Sequence, residues 1–359
     1  MVEWIIYYGN KKGEFMTDIL SLTGGISYLW MIIFIMISAG LAKEHELFAP
    51  AYAYVRNVFR SNKFVLVILS AIGGVLPISG RVTVSAGLLD TLAPKQGPGR
   101  EKLGIIDYLA THHYYMWSPL EKTVILPLAA FGLTYGAWLG IVWPILVASA
   151  LFIGWYIFTQ IKEEEVAISP TKFKISSVVR NVFPMILAIA GYVQTSNYIL
   201  CFGLLALYYM VLTGTWSFKK LLGYINFELI LTVAFVIIVS NYLKAQNSVM
   251  QEIISSTIVD PTTFVGMAMI SALGFFASFL MGSSGKFIAL AVLMAQVFGI
   301  EYFLWFFALE YSAYLCSPMH KCLVIGRGYF NTPLSMYYKA ISIWIAVLLA
   351  SAGIATFLI

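Results

Sequence analysis

The chain has 359 residues, of which 60% are hydrophobic and only 11% charged, with a mean hydropathy of +0.85. Soluble domains carry roughly 25% charged residues, so this composition excludes a soluble globular domain and leaves a polytopic membrane protein. The net charge of +5 does not imply nucleic acid, because Lys and Arg collect in a few connecting segments, as the positive-inside rule requires of membrane topology.

The opening residues 1–9 are apolar but lack a basic leading region, and Lys11-Lys12 follows where a cleavage site would stand. The expectation is therefore no signal peptide, with the first span at 19–41 serving as the insertion signal. A polar stretch with Lys43, Arg56, Arg60 and Lys63 follows and is placed on the cytoplasmic side. Residues 64–92 are apolar yet broken by Gly73-Gly74, Pro77 and Ser79-Gly80, which predicts a re-entrant hairpin that returns to Lys95, Arg100 and Lys102 on the same side. From 105 to 140 the chain crosses outward as a broken helix. Its interruption is Ser118-Pro119, because proline removes a backbone donor and disfavours helix in the residue before it.

Residues 139–158 return inward to a solvated segment with Glu163-Glu164-Glu165. Helices at 182–196 and 198–216 and an outward span at 227–243 follow, and then 264–298 reads as a second hairpin, entered from the opposite side. The stretch 302–325 reads as a second broken span, and a last helix occupies 336–359. The fold class is all-α, polytopic, with about 8 spans and 2 hairpins in two inverted repeats. In domain terms, 1–160 is the first repeat, 161–225 the linking helices and 226–359 the second repeat.

The repeat shows in residues as well as in topology. Tyr115-Met116-Trp117-Ser118-Pro119-Leu120-Glu121-Lys122 returns as Tyr314-Leu315-Cys316-Ser317-Pro318-Met319-His320-Lys321, with Tyr, Ser, Pro and Lys in common. Upstream of each lies a Ser-Gly-basic break, Ser79-Gly80-Arg81 and Ser284-Gly285-Lys286, preceded by Ser70-Ala71-Ile72-Gly73 and Ser271-Ala272-Leu273-Gly274. The antiparallel sense follows from charge bias and span counting, independently of the residue match.

Unwinding a helix inside a bilayer leaves amide and carbonyl groups that must find polar partners. Helix N-termini at such breaks favour an anion, and Ser79, Ser118, Ser283, Ser284 and Ser317 add hydroxyls. Arg81 and Lys286 are expected to contact an anionic substrate, because a basic group at helix centre is costly; the alternative is snorkelling, or pairing with a carboxylate such as Asp90. Lys122 and Lys321 stand one helical turn after their serines, for anion contact or a structural ion pair with Glu121 as local partner. Glu121 and His320 occupy equivalent positions and, with Glu310, are the candidates for coupling or proton handling; simple pairing is the alternative.

No metal site is expected. Cys201, Cys316 and Cys322 show no paired spacing and read as packing residues, and His112-His113 reads as an interfacial pair for which no further ligands are evident. Enzyme motifs fail: Gly282-Ser283-Ser284-Gly285-Lys286 lacks the first glycine and the last hydroxyl of a phosphate-binding loop, Gly326-Arg327-Gly328 lacks a third glycine, and His45-Glu46 lacks a second histidine.

At the paired breaks, in Gly74-Val75-Leu76-Pro77-Ile78-Ser79-Gly80 and Leu315-Cys316-Ser317-Pro318-Met319-His320-Lys321-Cys322-Leu323-Val324, the chain resembles the ion-transporter superfamily of secondary carriers. Within that superfamily it is most similar to an uncharacterised prokaryotic integral-membrane family. The resemblance implies an elevator carrier, dimeric through a scaffold domain, with Ser79 to Arg81, Ser118-Pro119, Ser283 to Lys286 and Ser317-Pro318 forming the substrate and ion site. The dicarboxylate branch carries Ser-Asn-Thr at these breaks and this chain does not, so its basic residues turn the expectation toward a phosphate-like or other oxyanion.

The function expected is secondary active transport of a small anion across the cell membrane, driven by Na+ or H+, by a homodimer without cofactor and without catalysis. Two rivals stand beside it: a cation/proton antiporter using Glu121, Glu310 and His320, and a lipid-phosphate flippase or an intramembrane enzyme acting on lipid head groups.

Overall fold

The computed structural model describes residues 23–59, 61, 63–68, 98–160, 172, 174–195, 197–225, 227, 230–231, 233–235, 237–238, 260 and 263–358. The first hairpin, expected at 64–92, lies outside the described residues beyond position 68, and with it Ser79, Gly80 and Arg81.

The described elements are helices. The first half contains α1 (Thr23–Glu44), α2 (Ala49–Val58), α3 (Pro98–His113), a 3-10 turn at Tyr114–Met116, α4 (Lys122–Phe131) and α5 (Tyr135–Gln160). Next come α6 (Ile175–Thr195), α7 (Tyr198–Thr213) and the short α8 (Phe218–Gly223). The second half has α9 (Phe264–Met281), α10 (Ser284–Phe298), a 3-10 turn at Ile300–Tyr302, α11 (Phe303–Cys316), α12 (Lys321–Phe330) and α13 (Leu334–Phe357).

Among the described residues, α5, α6, α9 and α13 are long and apolar enough to cross a membrane, and α4, α7 and α10 are shorter apolar helices. Their outward faces carry large hydrophobic side chains such as Leu151, Phe276 and Leu280, which are 69%, 63% and 71% exposed. Soluble monomers rarely leave apolar surface of that extent uncovered, so the chain is membrane-integral. Where lipid is the solvent, the hydrophobic effect gives no reason for helices to associate, and packing with hydrogen bonds must do so. The interior shows both: Trp138, Trp344, Tyr311 and Phe307 are fully buried, and the Trp344 indole donates to Ser149 Oγ at 2.8 Å.

The helices pack in two groups. In one, α1 lies along α7, α7 along α6, and α6 along α2; in the other, α9, α10 and α13 surround α11, α5 lies along α13, and α3 packs on α12. Contact of α1 with α4 joins them.

The broken spans depart from their expected limits: the first begins at Pro98, ahead of the expected 105, and both end elsewhere than expected. The first stops at Phe131 instead of 140, because Gly132 takes a left-handed φ of 68° and caps α4, so that α5 starts at Tyr135 and not at 139. Its counterpart stops at Phe330, where Asn331 takes a φ of 54°. Glycine and asparagine are the residues that enter that region at least cost.

Candidate functional site

Each expected break interrupts its helix. The first runs from Trp117 to Glu121, between the 3-10 turn that ends α3 and the start of α4; the second runs from Ser317 to His320, between α11 and α12. The carbonyls freed at the ends of α3 and α11 are taken by aromatic donors from neighbouring helices. Met116 O accepts from the Trp138 indole at 2.8 Å and Trp117 O from the Tyr135 hydroxyl. Leu315 O accepts from the Tyr108 hydroxyl at 2.6 Å and Cys316 O from the Tyr338 hydroxyl at 3.3 Å. Backbone groups that lose helical partners are thereby satisfied inside the protein, the condition for unwound backbone at membrane depth.

The two breaks meet around a two-fold relation. Tyr115 and Tyr314, 199 residues apart, join hydroxyls at 3.1 Å, and the Tyr311 hydroxyl donates at 2.5 Å to the carbonyl of His112, again 199 residues away. Contacts between the halves come in exchanged pairs. The rings of Trp138 and Phe307 stand 5.5 Å apart at 79°, and those of their counterparts Tyr337 and Tyr108 stand 5.7 Å apart at 80°. Tyr115 and Tyr311 stand 6.0 Å apart at 46°, His112 and Tyr314 6.3 Å apart at 46°. Contacts in which i meets j and j meets i are the mark of a two-fold axis. Tyr108 reaches Leu315 while His112 reaches Tyr311, so α3 and α11 pass each other antiparallel.

The second hairpin docks on the second break. Between α9 and α10 the chain turns at Gly282 with a φ of 53°, and a Cβ there would lie 2.6 Å from Met319 Cβ and 2.9 Å from Ser317 Oγ. Only glycine permits both that backbone and that approach. The Ser317 hydroxyl donates to Phe279 O at 2.5 Å and accepts from Met319 N at 3.2 Å, fastening the hairpin tip to the break. Ser118, its counterpart, is equally buried and accepts from Leu120 N at 3.4 Å.

Of the residues singled out in the sequence, Ser283, Ser284, Gly285, Ser317 and Pro318 gather around this junction, and Ser118, Pro119, Glu121 and His320 lie in or at the ends of the two breaks. Pro119 is buried and Pro318 exposed; Lys122 is half-buried, whereas Lys286 and Lys321 are exposed. The three helices that start here, α4, α10 and α12, have Glu121, Ser283 and His320 as N-caps, and none of these side chains caps its helix. Beside the second break opens a cleft of about 590 Å³ lined in part by Pro318, Arg327, Asn331 and Tyr338. Glu310 is buried in α11, where its Oε2 accepts from the Ser278 hydroxyl of the hairpin.

One reading is corrected. His112 is not interfacial: it is fully buried at the crossing, with Nε2 at 3.1 Å from Nε2 of His320 and Nδ1 at 2.6 Å from Tyr108 O. Tyr108, which sequence reasoning passed over, bridges Leu315 O and His320 Nδ1. Its only signal in the sequence is helical spacing with His112. His112, His320 and Cys322 bring their donor atoms within 4.8 Å of one another.

Comparison with curated proteins returns no match. A family described as "Protein of unknown function (DUF401)" matches residues 7–359, nearly the whole chain, and the chain belongs to that family.

Proposed function

We propose that the chain is a secondary active transporter of a small oxyanion, such as a carboxylate or a phosphate-like ion, coupled to Na+ or H+. The observation that carries this reading is the hairpin tip at Gly282–Ser284 seated on the Ser317–His320 break, with the α10 and α12 N-termini not capped by side chains. Free N–H groups and the positive end of the helix dipole favour negative charge. Lys286, in the first turn of α10, and Lys321, the first residue of α12, add cationic groups with exposed side chains, and the adjoining cleft is of a size to admit a small solute. The resemblance to the ion-transporter superfamily supports the same reading and extends it: an elevator motion of hairpins and broken helices as one block against the helices of the α1, α6 and α7 group, in a dimer in the cell membrane.

A second reading, a cation/proton antiporter, draws on Glu310, a buried carboxylate held by a hairpin serine. Intramembrane carboxylates mark ion and proton paths.

Reconstitution into liposomes separates the two. Labelled oxyanions are offered under an imposed Na+ or pH gradient, to the wild type and to Lys286→Ala and Glu310→Gln. Anion uptake that collapses in Lys286→Ala supports the anion carrier. Uptake of a cation against protons that survives Lys286→Ala and disappears in Glu310→Gln overturns it. Chemical conversion of a lipid without solute movement overturns both.

A further inference from the structure

We propose that His112, His320 and Cys322 form a binding site for a transition-metal ion of the zinc class that ties the first broken helix to the second. The inference stands apart from the transport reading and does not depend on it.

The argument begins with proton accounting. His112 Nδ1 lies 2.6 Å from the carbonyl of Tyr108, which only accepts, so Nδ1 carries the hydrogen; Thr111 Oγ1 at 3.2 Å shares it. The single proton of the Tyr108 hydroxyl goes to Leu315 O at 2.6 Å, so its oxygen accepts from His320 Nδ1 at 2.9 Å. Both neutral rings are thereby fixed in the tautomer whose Nε2 bears a lone pair. Those two lone pairs face each other at 3.1 Å between two buried rings. Two acceptors at that distance repel unless a cation lies between them.

The metric fits a metal. Nitrogen ligands at 2.0–2.1 Å on a tetrahedral zinc are separated by about 3.3–3.4 Å. Cys322, one residue into α12 and two beyond His320, brings a sulfur into the same 4.8 Å cluster. Imidazole and thiolate together suit zinc or cuprous copper and not the oxygen-seeking cations. The Nδ1 hydrogen bonds of both rings are the outer-shell orientation that metal-bound histidines regularly show. Asp107 lines a small pocket together with His112 and Cys322. On binding, Cys322 loses its thiol proton to solvent and the ion takes the sulfur lone pair.

The repeat adds an independent point. The counterparts of His112, His320 and Cys322 in the other half are Tyr311, Glu121 and Thr123. These use ordinary hydrogen bonds, from Tyr311 to His112 O and from Thr123 to Tyr115 O at 2.5 Å. The fold is therefore satisfied at the equivalent place without soft donors, and packing alone does not call for two histidines and a cysteine here.

The test uses the full chain purified in detergent, assayed for metal by elemental analysis, then stripped and titrated with Co2+. Expected are one ion per chain, the visible bands of tetrahedral cobalt, and a thiolate-to-cobalt charge-transfer band that is lost in Cys322→Ser and kept in Cys201→Ser. Tyr108→Phe removes the outer-shell acceptor of His320 and lowers Co2+ affinity by about 10–100-fold. Cys322→Ser is nearly isosteric, so monodisperse elution of that variant keeps the test valid if His112→Gln does not fold. Absence of Co2+ binding overturns the site and leaves a proton shared by the two histidines, and so does binding that survives in Cys322→Ser with its charge-transfer band intact.

Discussion

The hydroxyls of Tyr115 and Tyr314 touch at 3.1 Å, although 199 residues separate them, because the two residues hold the same place in the two halves. A residue that contacts its own counterpart lies on the two-fold axis, so this bond marks where the halves cross. Both tyrosines are buried, and removing one hydroxyl takes this bond from the other. Tyr115→Phe and Tyr314→Phe are each expected to destabilise by about 0.5–1.5 kcal/mol. The two losses should be less than additive in the double variant, since either single change already removes the bond that the two hydroxyls share. Thermal unfolding of the four proteins in one detergent measures this; simple additivity would place the hydroxyls in separate interactions.

The serines of the two breaks make unequal bonds. Ser317 holds both Phe279 O, at 2.5 Å, and Met319 N, at 3.2 Å, whereas Ser118 is bonded to Leu120 N at 3.4 Å. Ser317→Ala strips the hairpin carbonyl of its donor and should cost about 1–3 kcal/mol; Ser118→Ala should cost under about 1 kcal/mol. Protease cutting between α9 and α10 should also accelerate in Ser317→Ala alone, because that bond fastens the hairpin. Equal losses in the two variants would contradict the asymmetry.

What the sequence disclosed and what it hid have physical reasons. The turn between α9 and α10 was legible, because Gly282-Ser283 interrupts an otherwise unbroken apolar run, and the Ser-Pro steps announced both breaks. Punctuation by Gly and Pro is local chemistry and needs no knowledge of the fold. The end of α4 at Phe131 was missed, since Gly132 lies in apolar sequence that reads as a continuing helix. The meeting of His112 with His320 was beyond reach, because it depends on the antiparallel crossing of segments 208 residues apart. The signal was present only as a paradox: a histidine in an apolar span, assigned to the interface for want of a partner.

Trp138 ties the first break to α5, and its indole is the donor to Met116 O at 2.8 Å. Trp138→Phe keeps an aromatic ring against Phe303 and Phe307 but leaves the carbonyl at the unwound end of α3 without that donor. The expected loss is about 2–4 kcal/mol, combining an unsatisfied buried acceptor with a smaller ring. Trp143 on the same helix is 57% exposed, and Trp143→Phe should change stability by less than about 0.5 kcal/mol. Thermal midpoints of the two variants decide the matter: a similar shift in both would show that Met116 O has no need of the indole.

Glu310 is lodged against α9 because Gly274 has no side chain. A Cβ at Gly274 would collide with Glu310 Oε1 and fall 2.8 Å from Met294 Sδ. Gly274 is not among the positive-φ glycines and lies within a regular α9, so alanine there meets no backbone strain and gains about 0.5–1 kcal/mol of helix propensity. Overpacking works against that gain and costs about 1–3 kcal/mol. Gly274→Ala should therefore be destabilising on balance, and it should push the carboxylate away from Ser278, its donor on the same helix. Gly140→Ala in α5, where an added methyl meets nothing within 4 Å, supplies the control and should be neutral or stabilising. If the collision with Glu310 is the cause, Gly274→Ala combined with Glu310→Ala should lose less than the sum of the two single changes, because the second truncation makes room for the first. Additive losses would assign the penalty to Met294 instead, and a stabilised Gly274→Ala would show that the carboxylate moves aside without cost.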